Sequence, residues 1–165
     1  MAISTSIALI GFLTFGPNQF ADHDWYRVSI DTQLTFRYVD LRSIYEANGT
    51  RRAWVATVFG NVSEAQGPDT PKDALGLVEV DCEERRNRYL TFSAYGFQRR
   101  HLGESNEPTE WQYVPRQHPM NSVMDAICLP PESWGQRDFQ PVPDGNYRAD
   151  RANFIFSAMG DGAQN

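Results

Sequence analysis

The sequence predicts an α+β protein that is mainly β: an antiparallel sheet of about six strands with one C-terminal helix packed on it. Short runs of alternating apolar and polar residues are separated by frequent turn residues, which is typical of consecutive hairpins. One later segment changes to the period of an amphipathic helix. A sheet with an apolar face must bury that face, and this helix is the best candidate to cover it.

Length and charge exclude several classes of protein. A chain of 165 residues suits one domain, and 13% aromatic residues argue against intrinsic disorder. The net charge of −6 argues against general binding to nucleic acid. No apolar run reaches the roughly 18 residues that a membrane-spanning helix needs. We therefore expect neither a nucleic-acid partner nor a transmembrane span.

Residues 1–21 are a weak or truncated candidate for a secretory signal. The apolar run at residues 6–15, SIALIGFLTF, has the length of a signal's hydrophobic region, Pro17 ends it, and Ala21 is a candidate for the residue before a cleavage site. No Lys or Arg precedes the run, and the alternative is an apolar first strand. The compartment matters because two cysteines would most simply pair in an exported protein and stay reduced in the cytosol.

The first strands form a predicted hairpin followed by a third strand. Residues 25–31 and 34–40 both alternate, and only two residues separate them. The dipeptide Asn48-Gly49 marks the next turn. Residues 52–59 are apolar in both phases, which indicates a strand covered on both faces. Residues 60–74 are polar and turn-rich, and we expect an exposed loop.

A second predicted hairpin joins residues 75–82 to residues 88–97 through a charged tip. The residues expected on one face are Val78, Val80 and Cys82 in the first strand and Leu90, Phe92 and Ala94 in the second. A polar loop over residues 103–110 and a short last strand, residues 111–114, follow.

A short amphipathic helix is predicted over residues 121–128. Its apolar stripe consists of Met120, Val123, Met124, Ile127 and Cys128. Asn121 or Ser122 is the expected cap, and two prolines end the helix. Cys82 has the inward phase of its strand and Cys128 lies on the helical stripe. Helix packing on the sheet would bring the two thiols together, which favours a disulfide.

Residues 130–165 form a Pro-, Gly- and Asp-rich extension with one apolar run, residues 152–158, that fits a small helix or strand. The third strand has a second apolar phase, and one helix cannot cover both faces of a sheet. Either the extension or a second copy of the chain covers that face. The shortness of the apolar run favours a second copy, and a homodimer is therefore an expected assembly.

Several short motifs occur together in the order of a known family. They are Trp25, YVDLRSI (38–44), AWV (53–55), EVDCEERR (79–86), Trp111 and MDAIC (124–128). In this respect the chain resembles the surface-adhesin protein E-like family of Gram-negative bacteria over about residues 24–129, within a domain of residues 22–129. The resemblance implies a sheet of about six strands tethered to its helix by a Cys82–Cys128 disulfide. It also implies export to the periplasm or cell surface and a protein or extracellular-matrix partner.

Candidate binding residues are few. Arg85, Arg86, Arg88, Arg99 and Arg100 are weak candidates for an edge that binds anions or glycans. The alternative is a charged hairpin tip and edge that resist aggregation. His101 and Glu104 have a spacing that suits a metal, but we interpret them as solvated loop residues. No catalytic motif is present, and we expect no enzyme, metal or cofactor.

These observations favour an exported interaction protein that acts by binding, through a sheet edge or a face left open by the helix. The alternative is a periplasmic module that binds a small apolar or anionic ligand between helix and sheet. A closed cavity above roughly 300 Å³ would favour the ligand module, whereas a flat aromatic patch or a paired edge would favour protein contact.

Overall fold

One antiparallel sheet organises the molecule. The computed structural model describes residues 23–60 and 66–160, and the predicted signal segment, residues 1–21, lies outside them. The strands of the described part are β1 (Trp25–Ile30), β2 (Phe36–Asp40), β3 (Tyr45–Ala47), β4 (Thr50–Val58), β5 (Asp73–Asp81), β6 (Arg86–Tyr95), β7 (His101–Ser105), β8 (Gln112–Tyr113) and β9 (Gln140–Pro141). Their order is β7-β6-β5-β4-β2-β1-β9, with β3 beside β4 and β8 beside β6.

Two α-helices accompany the sheet, α1 (Asn121–Cys128) and α2 (Tyr147–Gly160). In the described residues no helix combines the length and apolar character that crossing a membrane requires. The mainly β, antiparallel fold is confirmed, but the prediction of about six strands and one helix is wrong in detail.

The three strands that the sequence did not predict are β3, β7 and β9. Each is two to five residues long, which is too short for alternation to be recognised. The predicted polar loop is wrong for residues 103–105, because they belong to β7.

The predicted turns are present. Asn48 and Gly49 both have positive φ, 54° and 79°, which matches the right-handed twist of a tight hairpin between β3 and β4. The hairpin of β1 and β2 is confirmed, but its loop is longer than the two residues expected. The Asp31 carboxylate accepts bonds from the N–H groups of Gln33 and Thr35, both at 3.0 Å, and thereby shapes the loop.

One face of the sheet, called here the α1 face, is covered by α1. The buried residues of this core are Val28, Val39, Ala53, Val55, Val78, Val80, Val114, Val123, Met124, Ala126 and Ile127. The predicted contact of the helix with the sheet is therefore confirmed for Val123, Met124 and Ile127. The prediction that Asn121 or Ser122 caps the helix is wrong. Met120 is the cap residue, and its side chain makes no cap bond. The Asn121 amide oxygen accepts a bond from Arg85 instead.

The Cys82–Cys128 disulfide is present and joins the end of β5 to the last residue of α1. Its position differs from the expected one. Cys82 comes directly after the strand and is exposed, so the bridge lies at the rim of the helix–sheet contact. The alternation of β5 still predicted the correct pairing of Cys82 with Cys128. Val80, two residues before Cys82, lies in the core under α1 and directs the chain toward the helix.

A bulge in β6 changes which side chains share a face. Leu77 of β5 pairs with Thr91 of β6, but the next residue, Val78, pairs with Tyr89, so Leu90 has no partner on β5. As a result Tyr89 lies opposite Val78 and Phe92 opposite Gly76, both on the α1 face. The prediction that Leu90 and Phe92 share a face is wrong, because an extra residue inverts the alternation.

The opposite face, called here the α2 face, has its own core. The buried residues are Trp25, Phe36, Tyr38, Ala56, Val58, Val142 and Tyr147, with Trp54, Leu75, Phe154 and Ile155 packed against them. This confirms that β4 is apolar in both phases and covered on both sides. The C-terminal extension therefore covers this part of the face, and the expectation that a second copy covers it is wrong.

Polar bonds fix α2 in place. Arg148 donates two bonds to Asp73, at 3.1 and 2.6 Å. Asp150 accepts from Arg27 at 2.7 Å and from the hydroxyl of Tyr38 at 3.1 Å. The apolar run that the sequence indicated is thus the end of a longer helix whose first turns carry these tethers.

Candidate functional site

The part of the α2 face that α2 leaves open carries a row of polar and aromatic side chains. Tyr45, Arg52, Glu79 and Arg88 stand in register across β3, β4, β5 and β6. Paired residues of an antiparallel sheet project to the same face, so the four side chains form one line across the sheet. The line begins directly beyond Trp54, the last residue packed against the core under α2.

Glu79 is the centre of this row. Its side chain is 3% exposed, and its two oxygens accept bonds from Arg52 at 2.9 Å, Arg88 at 2.7 Å and Thr50 at 3.0 Å. Burial acts to raise the pKa of Glu79, but the bonds from Arg52, Arg88 and Thr50 outweigh it and hold the pKa below its ordinary value. The charged carboxylate therefore fixes two arginines on neighbouring strands.

Trp111 lies under two arginines of β6. The guanidinium carbons of Arg88 and Arg86 are 4.5 and 5.0 Å from its ring centroids, within cation–π range. Arg86 is also held by Asp81, at 2.9 and 3.1 Å. Each of these arginines is thus fixed between a carboxylate and an aromatic ring.

Two tyrosines flank the arginines and are open to solvent. Tyr45 on β3 is 47% exposed, and Tyr113 on β8, opposite Arg86, is 67% exposed. We call the set Tyr45, Arg52, Arg86, Arg88, Trp111 and Tyr113 the arginine–aromatic surface. Its residue types are those that dominate binding energy at protein interfaces, and the ion pairs hold them in one arrangement before a partner arrives.

The five arginine candidates separate into different places. Arg86 and Arg88 belong to the arginine–aromatic surface, whereas Arg85 bonds Asn121 at the start of α1. Arg99 and Arg100 lie at the other end of β6, in the turn to β7, where Arg100 pairs with Asp69. The structure therefore does not bring the five together as one anion-binding edge.

Four members of the surface were not predicted as site residues: Tyr45, Arg52, Trp111 and Tyr113. A signal for Arg52 was present, because it shares the phase of Trp54 in the third predicted strand. Tyr45 and Tyr113 lie on strands of three and two residues, and their placement depends on pairing with β4 and β6.

His101 and Glu104 lie on β7 rather than in a loop, with 3.8 Å between Nε2 and Oε2, and both are exposed. In the described ranges no three His, Cys, Asp or Glu side chains come together in the manner of a metal site.

The comparisons with known proteins concern the same segment of the chain. The sequence model of the family described as surface-adhesin protein E matches residues 25–129. A solved structure, crystal form II of Haemophilus influenzae protein E, is similar with a TM-score of 0.47 and 9% sequence identity, covering 63% of this chain and 86% of that chain. No curated protein matches the chain.

The family match spans β1 to β8, α1 and both cysteines of the disulfide, and it ends before β9 and α2. The arginine–aromatic surface lies entirely inside the matched segment. The resemblance seen in the sequence motifs is confirmed, and the chain belongs to the surface-adhesin protein E family.

Proposed function

We propose that this protein is an exported interaction protein that binds an extracellular-matrix or other protein partner through the arginine–aromatic surface, without catalysis. The observation that carries the proposal is the exposure of Tyr45 and Tyr113 beside arginines that ion pairs already hold in place. Membership of a surface-adhesin family supports the same class of activity.

Export to the periplasm or cell surface is part of the proposal. Disulfides persist in oxidising compartments and are rare in the cytosol. Both cysteines of this chain are joined in the Cys82–Cys128 bond, which fastens α1 to the sheet.

The chemistry of the surface favours a protein as partner. The arginine–aromatic surface is a row across the sheet, and rings and guanidinium groups of this kind are enriched at the centre of protein interfaces. Its three arginines face two carboxylates, Glu79 and Asp81, which leaves one positive charge. A partner segment with an acidic residue among apolar ones complements this pattern.

Binding to an immobilised basement-membrane protein extract tests the proposal. We expect the parent chain to bind and both Trp111→Ala and Tyr113→Ala to weaken binding about 10- to 30-fold, the effect of truncating a central contact. Ile30→Ala is the control, because Ile30 is an exposed apolar residue at the far end of the sheet. Equal binding of the parent, Trp111→Ala and Tyr113→Ala would refute the assignment of this surface.

A further inference from the structure

A groove on the α1 face lies beside α1 and is distinct from the arginine–aromatic surface. Its cavity volume is about 360 Å³, within the range of small-ligand sites. The floor is formed by small residues of β5, Ala74 and Gly76, and the ring of Tyr89 lies over Gly76. A Cβ at Gly76 would lie 2.7 Å from the ring of Tyr89, so the glycine lets this ring lie against the sheet.

Aromatic rings form the walls. Tyr89 and Phe92 meet edge to face, with centroids 6.4 Å apart and ring planes at 73°. The bulge at Leu90 is what puts both rings on this face. Phe92 is 36% exposed, which is unusual for a large apolar side chain beside a core. Two rings at a right angle form a corner in which a third ring stacks on one and meets the edge of the other.

One end of the groove is polar. Arg37 lines it, and the Arg37 side chain is only 14% exposed. Its Nη1 donates to Asp31 at 3.2 Å, and its other N–H groups bond no residue among those that the structure describes. The hydroxyl of Tyr89 likewise has no partner within the described ranges. Burial raises the pKa of Tyr89, and the positive charge of Arg37 acts on the same hydroxyl in the opposite direction.

These features define the chemistry of a ligand. A guanidinium group whose remaining N–H groups bond no described residue suits a carboxylate, and so does a neutral hydroxyl, because a carboxylate accepts from both. Arg37 on β2 and the floor on β5 are two strand spacings apart, about 10 Å, which is the length of a two-ring aromatic acid. A flexible acyl chain would make less use of the right-angled pair of rings.

We propose that the groove binds a small aromatic carboxylate, with its rings against Tyr89 and Phe92 and its carboxylate on Arg37 and the Tyr89 hydroxyl. The site is independent of the proposed adhesive surface, because it lies on the opposite face of the sheet. It is also the kind of site expected for a periplasmic module that binds a small ligand between helix and sheet.

Calorimetric titration of the full chain with 2-naphthoate tests the proposal. We expect saturable one-to-one binding, about 10-fold weaker for Ala74→Leu, which fills the floor, and for Phe92→Ala, which removes a wall. Ile30→Ala is the matched surface control and should bind like the parent. No heat of binding up to millimolar 2-naphthoate, or equal affinity for the parent and Ala74→Leu, would overturn the proposal.

The polar end needs its own comparison. Tyr89→Phe removes only the hydroxyl and should weaken 2-naphthoate while leaving the neutral analogue 2-naphthalenemethanol less affected. Arg37→Gln should likewise weaken 2-naphthoate more than 2-naphthalenemethanol. If Arg37→Gln does not fold, the result for Tyr89→Phe alone tests whether the polar end binds the carboxylate. Decanoate carries the same head group on a straight chain. If decanoate binds more tightly than 2-naphthoate, the aromatic assignment is wrong.

Discussion

At the scale of single residues, Glu79 is the group on which the open half of the α2 face depends. It is a buried carboxylate whose hydrogen bonds come from β4 and β6, the two neighbours of its own strand. A buried charge is tolerated only when it is paired and hydrogen-bonded. Here the pairing also orients the arginines that the partner would meet.

Replacing Glu79 by Gln should lower the free energy of unfolding at pH 7 by about 1.5–3 kcal/mol, the range for hydrogen bonds to charged groups. The folded pKa of Glu79 lies below the unfolded value of about 4.3. Its contribution is therefore present above about pH 4.3 and is lost as the pH falls through the folded pKa. Urea unfolding between pH 7 and pH 3 should show a shallower acid loss for Glu79→Gln than for the parent.

Glu107→Gln is the control for this prediction, because Glu107 is exposed and forms no ion pair with the described residues. It should follow the parent at every pH. If Glu79→Gln and the parent lose stability in parallel on acidification, the ion pairs of Glu79 contribute nothing measurable.

In the sequence, Glu79 is only a charged residue that alternates with Val78 and Val80 of the predicted apolar face. Its burial could not be predicted, because it is produced by Arg52 and Arg88, whose positions depend on the register of two other strands. Trp111 was predicted as part of a strand, but its contact with two arginines likewise depends on how residues 106–111 fold back on β6.

At the scale of elements, α1 is stabilised by its apolar stripe and by the disulfide at its end. Ile127 is fully buried in the core of the α1 face. Ile127→Asp should destabilise the protein by more than about 4 kcal/mol, because it buries an unpaired charge. Ser122→Asp is the matched control: Ser122 is only half-buried, in the first turn of the helix, where the same negative charge is tolerated. Equal denaturation midpoints for both variants would show that the helix does not dock on the sheet.

The double substitution Cys82→Ser and Cys128→Ser should lower the free energy of unfolding by about 4 kcal/mol, since the bond closes a loop with a sequence separation of 46. Guanidinium unfolding of both forms measures this difference. Thiol labelling of the denatured, unreduced parent should find no reactive thiol. Two labelled thiols per chain would contradict the bond itself.

Element types were predictable where periodicity extends over several turns or strand pairs. The alternation in β4 and β5 and the helical stripe of α1 are long enough to be read from the sequence. The bulge at Leu90 was not, because a run that alternates without interruption gives no sign of an inserted residue. The bulge puts Phe92, one wall of the groove, on the α1 face, so the groove was not predictable either.

At the scale of the whole molecule, the C-terminal extension completes a core that the family segment leaves open. A chain ending at Glu132 lacks β9 and α2 and exposes Trp25, Phe36 and Tyr38. An apolar patch of this kind promotes association. Light scattering should therefore find dimers or larger species for the shortened chain. A shortened chain that is folded, soluble and monomeric would mean that this face needs no cover.

The pairing of β1 with β9 has a consequence for the order in which the chain assembles. Tyr26 and Arg27 pair with Pro141 and Gln140. One edge of the first strand can therefore be paired only after β9, the last strand of the described residues, has been made. When the chain is delivered at the rate of synthesis, about 5–20 residues per second, the 31 residues from Pro130 to the end of α2 at Gly160 take about 2–6 s to emerge. Throughout that interval the aromatic side chains beneath α2 face water. The emerging chain should therefore be most prone to aggregation after its family segment has emerged and before its last helix has appeared.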